Sequence, residues 1–197
     1  MNATDIFIQF DPFAAAINGR SPQTRHLNQL QDIFIDQEAF AAARQQRGNP
    51  LVYSVTSIAP ADGDGQLHYG IGKLMPGRIG DEYYMTKGHY HAWRPAAEVY
   101  ICFSGEGLML LEHEASGESQ LHPFVANSII YVPGFTAHRT INVGDTPLTY
   151  VGIYPAAAGH DYGAVAERNF KKVVVARNGR PTLLDRETFL TQRAKQP

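Results

Sequence analysis

His89-Tyr90-His91-Ala92-Trp93-Arg94-Pro95-Ala96-Ala97-Glu98-Val99-Tyr100-Ile101-Cys102-Phe103-Ser104-Gly105 is the stretch on which the fold turns. Its second half is a run of β-branched and aromatic residues closed by Ser-Gly, the composition of a strand that ends in a turn. Its first half sets two histidines two apart, and on extended backbone such residues face the same side. His89 and His91 can therefore reach one point, and a short hairpin returns the Glu98 carboxylate to it. His138 follows forty residues after Glu98, beyond Ile129-Ile130-Tyr131-Val132-Pro133 and a turn, where a neighbouring strand would deliver a further ligand.

On both sides of this stretch the chain repeats the same pattern. Leu51–Thr56, Leu108–Leu111, Ser128–Val132 and Leu148–Tyr154 are short β-rich runs, punctuated by Ala61-Asp62-Gly63-Asp64-Gly65, Met75-Pro76-Gly77, Ser104-Gly105-Glu106-Gly107, Pro133-Gly134 and Val143-Gly144-Asp145. Many close-spaced strands without intervening helices predict an antiparallel sandwich or barrel rather than alternating strands and helices. Asp36–Arg44 reads as one short helix, with an acidic start and a basic end before Gly48-Asn49-Pro50. Lys171–Val175 reads as a further strand and Arg186–Leu190 as a short terminal helix. The expected organisation is an extension over residues 1–50 packed on the barrel or on a partner subunit, a barrel over 51–170, and a C-terminal strand and helix over 171–197.

Composition narrows the partners. The 197 residues are 44% apolar and 18% charged, an ordinary balance for one folded domain. A net charge of −2 without long runs of one sign supplies no general attraction for nucleic acid or for an anionic membrane, so neither is an expected partner. Cys102 is the only cysteine, which excludes an internal disulfide and fits a reducing compartment. The start, Met1-Asn2-Ala3-Thr4-Asp5, lacks the basic and apolar regions of a secretory leader, and no apolar run is long enough to span a bilayer. A cytoplasmic location is expected.

Three imidazoles and one carboxylate form a mixed nitrogen and oxygen donor set suited to Fe(II), Mn(II), Ni(II) or Zn(II), and an octahedral ion would keep two positions for substrate or water. The spacing resembles both cupin motifs. His89-x-His91, Glu98 and Gly105 carry the first; Pro133, His138 and Asn142 carry the second. Asn127 and Phe135 stand where that second motif usually has glycines. Asn tolerates left-handed backbone, and Gly134 is expected to take over the other turn position.

The resemblance narrows to the cupin-type (archaeal-type) phosphoglucose isomerases through Thr86-Lys87-Gly88-His89-Tyr90-His91, Ala97-Glu98-Val99-Tyr100, Ala137-His138-Arg139-Thr140-Ile141-Asn142, and above all Ala158-Gly159-His160-Asp161-Tyr162-Gly163. It implies an all-β cupin double-stranded β-helix (jelly-roll) barrel with short N- and C-terminal helical extensions. It also implies a homodimer that interconverts glucose 6-phosphate and fructose 6-phosphate through a cis-enediol, in glycolysis or gluconeogenesis, with one divalent ion per subunit, Fe(II) before the others. Carried over residue by residue, it gives the metal to His89, His91, Glu98 and His138. Thr86, Gly88 and Tyr100 then meet the sugar phosphate, and Tyr154, His160 and Tyr162 line the sugar. Glu98 is the first choice as base; His160 is the second, as shuttle or ring-opening acid, with Tyr154 in the same relay.

Strand alternation turns Lys87 to solvent, opposite the histidines, and turns Arg139 away from His138 to serve structure or a subunit contact. Gly72 stands near the place of a hydroxyl residue that contacts phosphate in better-known members, leaving a backbone N–H there. The apolar segment Ile33-Phe34-Ile35 needs a covering surface and supports the homodimer. Rival readings are an isomerase or epimerase of another sugar phosphate such as mannose 6-phosphate, a cupin dioxygenase with the same metal site, and a non-catalytic sugar-binding cupin.

Overall fold

Glu98, Tyr100 and Cys102 are buried while Val99 and Ile101 between them are half-buried, so alternate residues of one strand define the inner wall of the molecule. In the computed structural model, which describes residues 5–194, this strand is one of fifteen. Met1–Thr4, on which the reading of the chain's start partly rests, lie outside the described residues. The strands are β1 (Phe10–Asp11), β2 (Ala16–Ile17), β3 (Gln23–His26), β4 (Leu51–Ile58), β5 (Leu67–Leu74), β6 (Arg78–Ile79), β7 (Glu82–Tyr83) and β8 (Glu98–Ser104). They continue with β9 (Glu106–His113), β10 (Ser119–Val125), β11 (Ile129–Val132), β12 (Thr136–Asn142), β13 (Leu148–Pro155), β14 (Lys172–Arg177) and β15 (Arg180–Asp185). The α-helices are α1 (Gln37–Arg47), α2 (Gly163–Arg168) and α3 (Arg186–Arg193).

Every pairing between these strands is antiparallel. A six-stranded sheet runs β11-β8-β13-β5-β4-β3 and a three-stranded sheet runs β10-β9-β12. Their inner faces meet through aromatic rings: Phe124 of β10 lies 6.1 Å from Tyr100 of β8 and 5.6 Å from Tyr150 of β13. Burial of each such ring stabilises the sandwich by about 1.5–3 kcal/mol. A smaller sheet, β15-β14-β7-β6, flanks these two. The all-β architecture expected from the sequence is the one found.

Nine of the fifteen strands have no counterpart among the runs read as strands, and four of these show why. β12 is polar, Thr-Ala-His-Arg-Thr-Ile-Asn, yet every residue of it is buried, because most of its polar groups find partners inside, as when Asn142 Nδ2 donates to Leu74 O and Thr146 O at 2.9 Å. β10 contains Pro123 and is the edge of its sheet, the one place where a missing N–H costs no ladder bond. β5 carries two glycines, and β15 opens with Arg180-Pro181. The first helix starts one residue later than read, since Asp36 is its N-cap and accepts from Ala39 N–H at 2.9 Å. The helix then runs on to Arg47, where Gly48 at φ 69° closes it.

Two expectations are corrected. Asn127 does take left-handed backbone, φ 68°, but Gly134 does not replace the second turn glycine: Phe135 itself adopts φ 58°. Phe135 is held there because its N–H donates to Arg94 O at 2.6 Å and its carbonyl accepts from Glu114 N–H at 2.8 Å. Gly134 is needed for space, since a Cβ would stand 2.6 Å from Pro95 O. The apolar segment Ile33-Phe34-Ile35 is covered within the chain: Phe34 is 2% exposed and packs on Phe40 and Tyr84 at 5.9 and 6.5 Å. It therefore gives no argument for a second subunit.

Glu82 of β7 ties this segment down. Its fully buried carboxylate accepts from Ile35 N–H at 2.8 Å and Asp36 N–H at 2.9 Å. Burial pushes the carboxyl from 4.5 up to about 7, against the opposing pull of those two N–H groups. A carboxyl that binds its proton more tightly in the folded state adds stability below the unfolded pKa and loses it as pH rises through the folded one. The unfolding free energy should therefore fall between pH 4.5 and about 7 by on the order of 2–3 kcal/mol more in the wild type than in Glu82→Gln. Urea titrations of both proteins across that range check this, and parallel pH profiles would contradict it.

Candidate active site

Backbone pairing assembles the site. Gly88, at φ 73°, turns the chain so that His89 pairs antiparallel with His138 of β12; His138 N–H donates to His89 O at 3.1 Å and His89 N–H to His138 O at 3.3 Å. A Cβ at Gly88 would stand 2.6 Å from the Phe170 ring and 3.1 Å from His138 O, so only glycine fits. Next along, Tyr90 pairs with Asp161 through N–H···O contacts of 3.1 and 2.8 Å. In such a pair the flanking residues project from the other face, which sets His89 and His91 beside Tyr162 and His160. The ring spacings agree: His89 to Tyr162 is 5.4 Å and His89 to His160 is 4.6 Å. Arg94 fastens this arrangement, donating to His91 O at 2.5 Å, Glu114 at 2.8 Å and Asp161 at 2.7 Å.

One ligand atom from each of His89, His91, Glu98 and His138 lies within 4.8 Å of the other three. His91 Nε2 and His138 Nε2 both stand 3.1 Å from Glu98 Oε2, although only the first is aligned as a hydrogen bond. The outer nitrogens fix the rings: His91 Nδ1 faces Ala96 O at 3.0 Å and His138 Nδ1 faces Thr136 O at 3.3 Å. With Nδ1–H donated outward, His138 Nε2 turns a lone pair inward, and His91 Nε2 would do the same toward a cation. His89 Nε2 and His138 Nε2 are buried without a hydrogen-bond partner. Buried polar atoms of that kind are rare and need an explanation, and a divalent cation at the centre of the four groups would supply it. The donor set fits a first-row ion.

The local electrostatics favour cation binding. Burial, with His138 adding to it, holds His89 well below the ordinary imidazole value, so the ring is neutral and able to ligate. Burial opposes ionisation of Glu98, but the imidazoles of His138 and His91 beside its carboxylate outweigh it and keep the carboxyl below its usual range. Burial also lowers His160. Space for the carboxylate comes from Gly152 of β13, where a Cβ would stand 2.4 Å from Glu98 Oε1. A glycine inside an otherwise β-rich run was the available sequence signal for this close approach.

His89, Glu98 and His138 of this cluster form part of the wall of a cavity of about 340 Å³. Thr86, Gly88, Tyr100, Tyr154, His160 and Tyr162, all expected near substrate, line it. Tyr154 meets the His160 ring edge-on at 5.4 Å, and Tyr162 stacks on His160 at 5.9 Å from the rim, where it is half exposed. Sequence reading missed Gln23, Arg25, Tyr53, Ser57, Thr140 and Tyr150 in the lining. Tyr53, Val55 and Ser57 alternate along β4, and that period of two was the signal for which of its faces turns inward.

Lys87 is half-buried and borders the cavity instead of facing solvent, because the left-handed Gly88 interrupts the alternation between residues 87 and 89. Arg139 is 3% exposed within this chain. It donates to Lys87 O at 2.5 Å and lies 4.5 Å over the Phe170 ring, an internal support rather than a subunit contact. Gly72 lies in a central strand between Tyr150 and Val55, so its N–H and C=O serve the sheet ladder and are not free for a ligand.

The family model described as glucose-6-phosphate isomerase matches residues 24–189. Glucose-6-phosphate isomerase of Pyrococcus horikoshii is 39% identical over 90% of this chain and 93% of its own length. That of Thermococcus litoralis is 40% identical with the same coverage, and that of Sinorhizobium medicae is 34% identical over 79% of this chain and 72% of its own. Among solved structures, an oxalate oxidase in complex with the substrate analogue glycolate superposes with a TM-score of 0.50 at 17% identity. The match covers 60% of this chain and 58% of the oxidase; it supports the cupin fold and nothing about the reaction. With the family model spanning most of the chain, and relatives aligned nearly end to end, the chain belongs to the glucose-6-phosphate isomerase family.

Proposed function

We propose that the protein interconverts glucose 6-phosphate and fructose 6-phosphate through a cis-enediol intermediate. The observation that carries this reading is the buried group of three imidazoles and one carboxylate facing a sugar-sized cavity, with His160 and Tyr154 beside it but outside the ligand set. Isomerisation moves one proton between C2 and C1, and the hard step is removing it next to a carbonyl. A divalent ion, Fe(II) first, with Mn(II), Ni(II) or Zn(II) as replacements, would supply Lewis-acid stabilisation of negative charge on O1 and O2 when bound.

Glu98 carries the proton. Its Oε2 faces the imidazole nitrogens, which leaves Oε1, over Gly152, on the cavity side for exchange with C1 and C2. His160 opens the sugar ring, with the Tyr154 hydroxyl in the same relay. Thr86, the Gly88 backbone and Tyr100 bind the sugar phosphate, Tyr100 with its hydroxyl beside Glu98, and Arg25 and Lys87 add positive charge to the lining. Thr86 is pre-positioned, because its hydroxyl accepts from Thr140 N–H at 3.1 Å and remains able to donate to an anion. A dioxygenase of the same metal set calls for an apolar pocket; hydroxyls and cations on the wall favour a phosphorylated sugar.

Two further properties complete the proposal. The free, buried Cys102 suits a reducing cytoplasm, and among the described residues no helix is long and apolar enough to cross a membrane. A homodimer is proposed from family membership and from Ile129 and Tyr131, which are 68% and 63% exposed on the edge strand β11. Light scattering should return the mass of two chains, and a stable monomer at micromolar concentration would refute this. For the activity, metal-supplemented protein should convert fructose 6-phosphate to glucose 6-phosphate in a coupled assay without oxygen uptake. Chelation should abolish turnover by more than tenfold, and Fe(II) should restore it. Oxygen consumption, or equal turnover of unphosphorylated fructose, would sink the isomerase reading.

A further inference from the structure

Gly72 has no conformational reason to be glycine. It sits mid-strand in β5, opposite Tyr150 of β13 on one side and Val55 of β4 on the other, and its backbone is not left-handed. Glycine weakens a strand interior, so its presence there points to a close approach. The approaching group is Tyr150: a Cβ at position 72 would stand 2.5 Å from its Cε2 and Cζ and 2.8 Å from its Oη. The ring thus lies across β5 with its hydroxyl end over Gly72, and it forms part of the cavity wall.

The hydroxyl has been brought to a chemically coherent place. Tyr150 is 5% exposed, with its ring wedged against Tyr100 at 5.7 Å and Phe124 at 5.6 Å. Its Oη lies against Thr140, whose N–H is bonded to the Thr86 hydroxyl. Thr140 is two residues from His138 on the same face of β12, roughly 7 Å along the strand. Three hydroxyls, from Thr86, Thr140 and Tyr150, therefore gather about one sugar chain away from the ligand cluster. Burial raises the phenol far above its ordinary value, so it stays protonated and is available as a donor. If packing alone mattered, phenylalanine would fill the same space without a polar atom to satisfy.

We infer that Tyr150, admitted by the missing side chain at Gly72, donates its hydroxyl to the phosphate of the bound sugar and is a specificity-determining residue for phosphorylated substrates. This rests on the isomerase reading proposed above. Tyr150→Phe keeps the ring and removes only the donor, so KM for fructose 6-phosphate and Ki for inorganic phosphate should both rise on the order of tenfold, with kcat falling far less. Gly72→Ala, which displaces the ring, should raise the same two constants, and should add little when combined with Tyr150→Phe. Thr86→Val is measured alongside, since it removes a different donor from the same end. If Thr86→Val raises both constants and Tyr150→Phe changes neither by more than twofold, Tyr150 is only a packing residue and the inference is overturned. If neither variant changes them, the phosphate site itself is wrongly placed and the isomerase reading loses its support as well. A fall in kcat at unchanged KM would also overturn a binding role for Tyr150.

Discussion

The two backbone hydrogen bonds between His89 and His138 are the constraint on which the rest depends. They join an irregular segment to the fully buried strand β12, and by doing so aim two imidazoles at one point. The neighbouring Tyr90 and Asp161 pair continues the same local ladder and carries His160 and Tyr162 to the same side. Without these short pairings His91 would have no fixed relation to Glu98, and the loop between them, residues 92–97, would be free to carry it elsewhere. Arg94, with hydrogen bonds to His91, Glu114 and Asp161, is what keeps that loop seated. A preorganised cluster of this kind costs no rearrangement when charge develops on a substrate.

The interior is unusually polar for a small sandwich, and its polar groups sort by purpose. Glu82 and Arg139 are buried supports: the first ties residues 35 and 36 to the barrel, the second holds the Lys87 carbonyl and covers Phe170. Burial pushes the Arg139 guanidinium down to about 9, which still leaves it charged at neutral pH. The histidine and Glu98 cluster differs in that His89 Nε2 and His138 Nε2 point inward with no hydrogen-bond partner. Hydroxyl groups occupy the third region, where Thr86, Thr140 and Tyr150 meet. Close approach of backbone to side chain recurs in all three regions, where glycine at positions 72, 88 and 152 makes room for Tyr150, Phe170 and Glu98.

Much of this was legible in the sequence because the four clustered residues, the proposed metal ligands, lie on extended backbone whose period of two is visible in His89-Tyr90-His91 and in the run from Glu98. The hydrophobic strands were legible for the same reason. β12 was anticipated only as the neighbouring strand that brings His138, since its polar residues take partners from elsewhere in the fold, and Lys87 was misplaced because one left-handed glycine breaks the alternation. The Gly134 and Phe135 exchange could not be read either: which residue bears the positive φ depends on Arg94 and Pro95, forty residues earlier in the chain. The cover over Ile33-Phe34-Ile35 likewise comes from α1 and from Tyr84, contacts that local sequence does not announce.

The central claim is that His89, His91, Glu98 and His138 form a single metal centre within reach of the sugar cavity. Diffraction from crystals grown with Fe(II) or Mn(II), recorded at the absorption edge of the metal, tests it most directly. The account predicts one strong anomalous peak per chain, bonded to Nε2 of the three histidines and to the Glu98 carboxylate at about 2.0–2.2 Å. No peak at those four residues in metal-supplemented protein, or a peak held by other side chains, would contradict it.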